Sequence, residues 1–162
     1  MATRITGVPG SAEYPSTNFP QYLINAQRRP VLAYDATTSE TAYWTTVVPQ
    51  GWTGTITAVI TYAMASATSG GVAFDVAFEA ITSGDATDTD ATTSFDSVNG
   101  GSDAAVPGTA GYMEQITITC SNTDSAAAGD YLRVSLARDV ADAADTATGD
   151  AYLLAIEIRD AA

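Results

Sequence analysis

The chain has 162 residues, the length of one domain, with 46% hydrophobic and 15% charged residues, against roughly 25% charged in an average soluble domain. It is too apolar to be disordered, and no apolar run approaches the roughly 18 residues of a membrane span. A single cysteine, no histidine, no lysine and a net charge of −13 argue against disulfides within the chain, imidazole or multi-cysteine metal sites, histidine triads, Schiff-base or P-loop chemistry, and nucleic-acid or anionic-membrane partners.

The first residues, MATRITGVPG, lack the basic-then-apolar pattern of a secretory signal. Residues 1–30 carry Arg4, Arg28 and Arg29 against Glu13, a net +2, and four of the six prolines, whereas residues 31–162 carry a net −15. This shift predicts an extended N-terminal arm over 1–30 and a separate body over 31–162. Proline every five to ten residues denies the arm continuous helix or central-strand pairing. Within it, Phe19, Tyr22, Leu23 and Ala26 fall at spacings of three and four after Pro20, which predicts at most two helical turns over 20–29. Two readings stand for the arm. Its aromatics cover the sheet of their own domain, or Arg4, Tyr14, Phe19, Tyr22, Leu23, Arg28 and Arg29 grip another protein.

From Val31 onward the hydrophobic period is two. Strands are expected over 31–35 and 42–48, then over 55–65, where Ile56, Ala58, Ile60, Tyr62 and Met64 share a face. The next, 71–81, alternates Val72, Phe74, Val76 and Phe78 with Ala73, Asp75, Ala77 and Glu79. An irregular strand is expected near Phe95 to Val98, and Asn99-Gly100-Gly101 reads as a break. Three more follow: Ile116, Ile118 and Cys120 on one face of 112–120; Leu132, Val134 and Leu136 within 131–137; and Tyr152, Leu154, Ile156 and Ile158 sharing a face of 151–159. Residues 140–147 read as a loop with one helical turn. About eight one-sided strands separated by glycine turns predict an all-β, antiparallel jelly-roll β-sandwich.

Little in this pattern carries chemistry. Asp85, Asp88 and Asp90 have oxygen ligands for calcium but lack the glycine and closing glutamate of an EF-hand loop. Asp139, Asp142 and Asp145 read as turn-makers, so no metal or other cofactor is expected. Asp75 and Glu79, four apart on a strand rising roughly 3.3 Å per residue, are about 13 Å apart, too far for a hydrolytic pair. A cross-strand ion pair with Arg133 or Arg159 is the simpler use of these acids, and no catalytic residue is assigned. Trp44 and Trp52 could stack on sugar rings if exposed, or pack in the core. Cys120 continues a buried face as an inert thiol.

The strand 31–37 (VLAYDAT), the following AYWTTVVP at 42–49 with its threonine-rich successor, and the closing run from Arg138 to Arg159 resemble small jelly-roll proteins of tailed-phage virions. That resemblance spans about residues 31–160 and implies a non-enzymatic capsid decoration (cement) protein. Such a protein would be a homotrimer made in the host cytoplasm and placed on the virion exterior, with the major capsid protein and itself as partners. The alternative is a fibre or receptor-binding module that recognises carbohydrate.

Overall fold

The computed structural model describes residues 4–103 and 105–160. Ten strands form among them: β1 Arg4–Gly7, β2 Gln21–Ile24, β3 Pro30–Tyr34, β4 Thr41–Val47 and β5 Ile56–Met64, then β6 Val72–Ile81, β7 Asn99–Asp103, β8 Met113–Cys120, β9 Tyr131–Arg138 and β10 Ala151–Asp160. They pair antiparallel into two sheets. One has the order β2-β3-β10-β5-β8, with β1 also on β10; the other has the order β4-β9-β6-β7. The protein is a jelly-roll β-sandwich. Its core lies between the sheets, where Ile60, Tyr62, Phe74, Phe78, Leu132 and Leu136 are fully buried, as their alternation with polar or small residues requires.

Residues 4–30, expected to stand apart from a body starting at Val31, are woven into the larger sheet. β1 lies along Ile156 to Arg159 of β10, and β2 along Pro30 to Ala33 of β3. The prolines permit this because of where they fall: Pro9 opens a 3-10 turn, Pro15 and Pro20 lie between strands, and Pro30 is the first residue of β3. The helical spacing over 20–29 is overridden, because pairing with β3 gives Tyr22 and Leu23 backbone partners that two isolated turns cannot hold.

Two further elements depart from the pattern. Asn99-Gly100-Gly101 begins β7 rather than breaking the chain, and no strand forms over 95–98. A Cβ on Gly101 would lie 2.5 Å from the Ile118 side chain, so only glycine lets β7 approach the opposite sheet this closely. Buried Asn99 fixes the start of β7, donating to the Val76 and Asn122 carbonyls and accepting from the Ser121 and Asn122 amides. In β10 the register shifts between Leu153 and Ala155. This bulge keeps Ala151, Leu153, Ile156 and Ile158 in the core and leaves Tyr152 and Leu154 outside it, against the strict alternation expected.

One buried cation joins the layers. Arg138, at the end of β9, is fully enclosed. Its Nε and one terminal nitrogen donate to the two Asp145 oxygens at 2.9 and 2.8 Å. Its other donors reach the carbonyls of Ala147, Gly149 and, in the opposite sheet, Tyr34. Asp145 also accepts from the Ala73 amide of β6. Asp139 and Asp142 cap turns in the same loop, accepting from the Ala141 and Ala144 amides. Cys120 is buried, and burial pushes its thiol up to about 11, which leaves it a poor nucleophile at neutral pH.

Arg138→Met strands the buried Asp145 carboxylate, and Asp145→Asn strands the guanidinium. Each should lower the unfolding free energy by about 3–5 kcal/mol, read from the urea midpoint at constant m-value. Asp75, on the outer face of β6, has its carboxyl held above the ordinary range by burial first and by the Asp139 and Asp142 carboxylates second. The folded chain therefore binds this proton more tightly than the unfolded chain, and stability is lost as pH rises through the carboxylate range. Asp75→Asn should raise Tm at pH 7, with the gain vanishing near about pH 3, below the unfolded value.

Candidate functional site

The outer face of the four-stranded sheet is built in rungs by the strand register. One rung sets Thr45, Arg133 and Glu79 side by side across β4, β9 and β6; the next sets Val47, Tyr131 and Ile81. Cross-strand neighbours on one face lie within side-chain reach, and Arg133 and Glu79 form an ion pair at 2.9 Å. This is the cross-strand use expected for such an acid.

The connection from β6 to β7 crosses this face. Its Ser94 amide donates to Glu79 Oε1 at 2.6 Å, and its Asp96 amide to the Phe78 carbonyl at 2.9 Å. Phe95 is thereby laid over Tyr43 of β4, with ring centroids 5.6 Å apart and planes 19° from parallel. The Arg133 guanidinium lies 5.0 Å from the Tyr43 centroid and 5.2 Å from that of Phe95. Two rings and a carboxylate hold it in place, a cation–π arrangement that restricts its rotamers. From the N-terminal segment, Glu13 bridges to Tyr43 through the backbone and accepts from the Thr45 hydroxyl at 3.0 Å.

Glu13, Glu79 and Arg133, with Tyr131, Ile81, Thr89 and Thr92, surround a hollow of about 280 Å³. Tyr131 is 41% exposed and lines it. Glu79 has both oxygens engaged, by Arg133 and by the Ser94 amide, so it is a fixed acceptor and is poorly placed to donate a proton. The hollow therefore offers an aromatic surface beside immobilised donors and acceptors. That set suits a ring bearing several hydroxyls, with its C–H face on the tyrosine and its hydroxyls on the charged groups.

Of the two tryptophans, Trp44 is closed to a ligand. Trp44 is buried and donates its indole N–H to the Val8 carbonyl at 3.1 Å, and Trp52 packs half-buried against the core. The acidic loops do not cluster into a ligand set. Asp85 accepts from the Thr82 amide and Asp88 from the Asp90 amide, each capping its own loop.

The residues expected to grip a partner are scattered. Tyr14 and Phe19 pack ring to ring at 5.6 Å, with Tyr22 nearby on β2, and all three remain substantially exposed. They lie where the chain passes from the edge of one sheet at β4 to the edge of the other at β2. Leu23 is half-buried, and Arg4 meets Glu157 at 3.8 Å on β10. Arg28 and Arg29 sit in the turn between β2 and β3. Ala73 and Ala77 are buried within the single chain, and Ala73 is covered by the 139–147 loop, which bonds its backbone on both sides.

No protein-family model matches this chain, and no curated protein does. Among solved structures, the C-terminal CBM6 of LamC, a marine laminarinase from Zobellia galactanivorans, aligns over 96% of this chain and 98% of its own with a TM-score of 0.50 at 15% identity. A carbohydrate-binding module of Cellvibrio mixtus lichenase 5A, solved in complex with cellotriose, aligns over 98% of both chains with a TM-score of 0.43 at 17% identity. The fold is thus one shared with the laminarinase module. The laminarinase module overturns the expected capsid decoration role, because the fold it shares with this chain is that of a carbohydrate-binding module and not of a virion protein. The alternation, the threonine-rich strand and the loop-rich closing run are what two packed sheets require in any jelly roll. They do not single out a virion protein.

Proposed function

We propose that this chain is a non-catalytic carbohydrate-binding module that holds a sugar ring in the hollow between Tyr131, Arg133, Glu79 and Glu13. The observation that carries this reading is the fixed guanidinium. Arg133 is held by Glu79, Tyr43 and Phe95, yet Nε and one terminal nitrogen donate to no protein group among the described residues. Such donors bind hydroxyls with little loss of side-chain entropy. The exposed Glu13 carboxylate and the nearby threonines supply matching acceptors, and Tyr131 supplies the stacking face. The fold shared with the laminarinase module is consistent with this use.

Calorimetric titration of the folded chain with laminarin and with cellotriose tests the reading. At least one should bind, with Tyr131→Ala abolishing the heat and Arg133→Met weakening binding by tenfold or more, about 1.4 kcal/mol. Because Arg133→Met also leaves Glu79 without its partner, thermal melts must show that each variant is folded. Absence of binding to any neutral glycan on a broad array, or binding unchanged in Tyr131→Ala, would reject the site.

A further inference from the structure

A second cleft lies away from that hollow, on the outer face of the six-stranded sheet, with a volume of about 560 Å³. The β10 bulge makes its floor. By displacing the register at Leu154 it brings Tyr152 and Leu154 to this surface, beside Val31 of β3 and Ala63 of β5. Met113 of β8 lies next to Ala63 and is 61% exposed. The floor is therefore apolar and includes one aromatic ring.

The rim has the opposite chemistry. Asn25, Gln27 and Arg29 line it from the turn between β2 and β3, and that turn is tightly built. Asn25 Oδ1 accepts from the Gln27 and Arg29 amides, both at 3.0 Å. The Asn25 amide donates to the Arg29 carbonyl and the Arg28 amide to the Asn25 carbonyl, both at 2.9 Å. Arg28 is held at φ 64°, in the left-handed region, a conformation that costs a non-glycine residue about 1 kcal/mol or more. The Asn25 oxygen is thus spent on the turn, while its side-chain N–H₂ remains for a ligand.

The charge pattern adds an independent observation. Of the six arginines, Arg4, Arg133, Arg138 and Arg159 each pair with a carboxylate. Arg28 and Arg29 pair with none among the described residues, although acids outnumber arginines 19 to six. Two adjacent uncompensated guanidinium groups in so acidic a chain, one of them lining this cleft, call for an anion. A free guanidinium matches a carboxylate or sulfate through paired N–H donors.

We infer that this cleft is a second binding site, for an acidic saccharide. The sugar's C–H face lies on Tyr152 and Leu154, its hydroxyls meet the amides of Asn25 and Gln27, and its carboxylate or sulfate meets Arg29. The inference rests on the carbohydrate reading for the class of ligand, whereas the anion preference stands on the arginines alone.

Titration of the full chain with tetragalacturonate, with a sulfated tetrasaccharide and with inorganic sulfate tests it. At least one acidic oligosaccharide should bind, and which one tells whether the partner of Arg29 is a carboxylate or a sulfate. Arg29→Gln should weaken that binding tenfold or more, and Tyr152→Ala likewise, while both leave the titration with neutral glycans unchanged. No binding of either acidic oligosaccharide, affinity unaltered in Arg29→Gln, or inorganic sulfate binding as tightly as the oligosaccharides would overturn the inference. Because neutral glycans are titrated on the same protein, loss of the Tyr131 site and loss of this one register separately.

Discussion

The sandwich depends on a guanidinium that has no access to water. Arg138 reaches from the end of one sheet to the Tyr34 carbonyl of the other, and it closes the 139–150 loop through Asp145, Ala147 and Gly149. Five donors find five acceptors, which is the condition for burying a charge at tolerable cost. A close-packed apolar pair could fill the same volume without fixing a direction. The ion pair does fix one: the loop before β10 must run where Asp145 meets Arg138, and β10 then starts in the register that pairs Ala151 with both Tyr34 and Met64. Tyr34 makes a second tie between the sheets through its hydroxyl on the Leu136 carbonyl.

With the inner faces committed to the core, the recognition chemistry lies on the outer faces, and the two sheets prepare theirs differently. On the four-stranded sheet the register is regular and the polar residues align in rungs, so the long β6–β7 connection can anchor on Glu79 and deliver Phe95 onto Tyr43. On the six-stranded sheet a single extra residue in β10 moves Tyr152 and Leu154 outward, and the β2–β3 turn overhangs them. One surface is stiffened by packed side chains and the other by backbone geometry. Either way the contacting groups are fixed before a ligand arrives, which lowers the entropy lost on binding.

The N-terminal segment contributes to both surfaces, supplying Glu13 beside Thr45 and the arginine-bearing turn above Tyr152. Its net positive charge, set against an acidic remainder, first suggested a separate arm. In the folded chain it supplies β1 and β2 of the six-stranded sheet, and only the cations at its turn remain without carboxylates among the described residues.

What the sequence determined by itself is whatever a strand's own period encodes. The inward rows of β5, β6, β8 and β9, the burial of Cys120 and the jelly-roll class all follow from alternation between apolar and polar residues, and so does the placement of Glu79 on the outer face of β6, ready to pair with Arg133. The tertiary structure decided everything that requires a distant partner. Gly101 reads as a turn until Ile118 is known to lie against it, and Tyr152 and Leu154 read as core until β5 and β3 impose a bulge between Leu153 and Ala155. Phe95 reads as part of a weak strand until Glu79 captures the neighbouring amide, and residues 4–30 read as a tail until β10 and β3 offer them edges. Periodicity is a local property of the chain. Register shifts, edge pairing and loop-over-sheet stacking are set by contacts between residues tens of positions apart, so both candidate sites emerge only when the sheets are assembled.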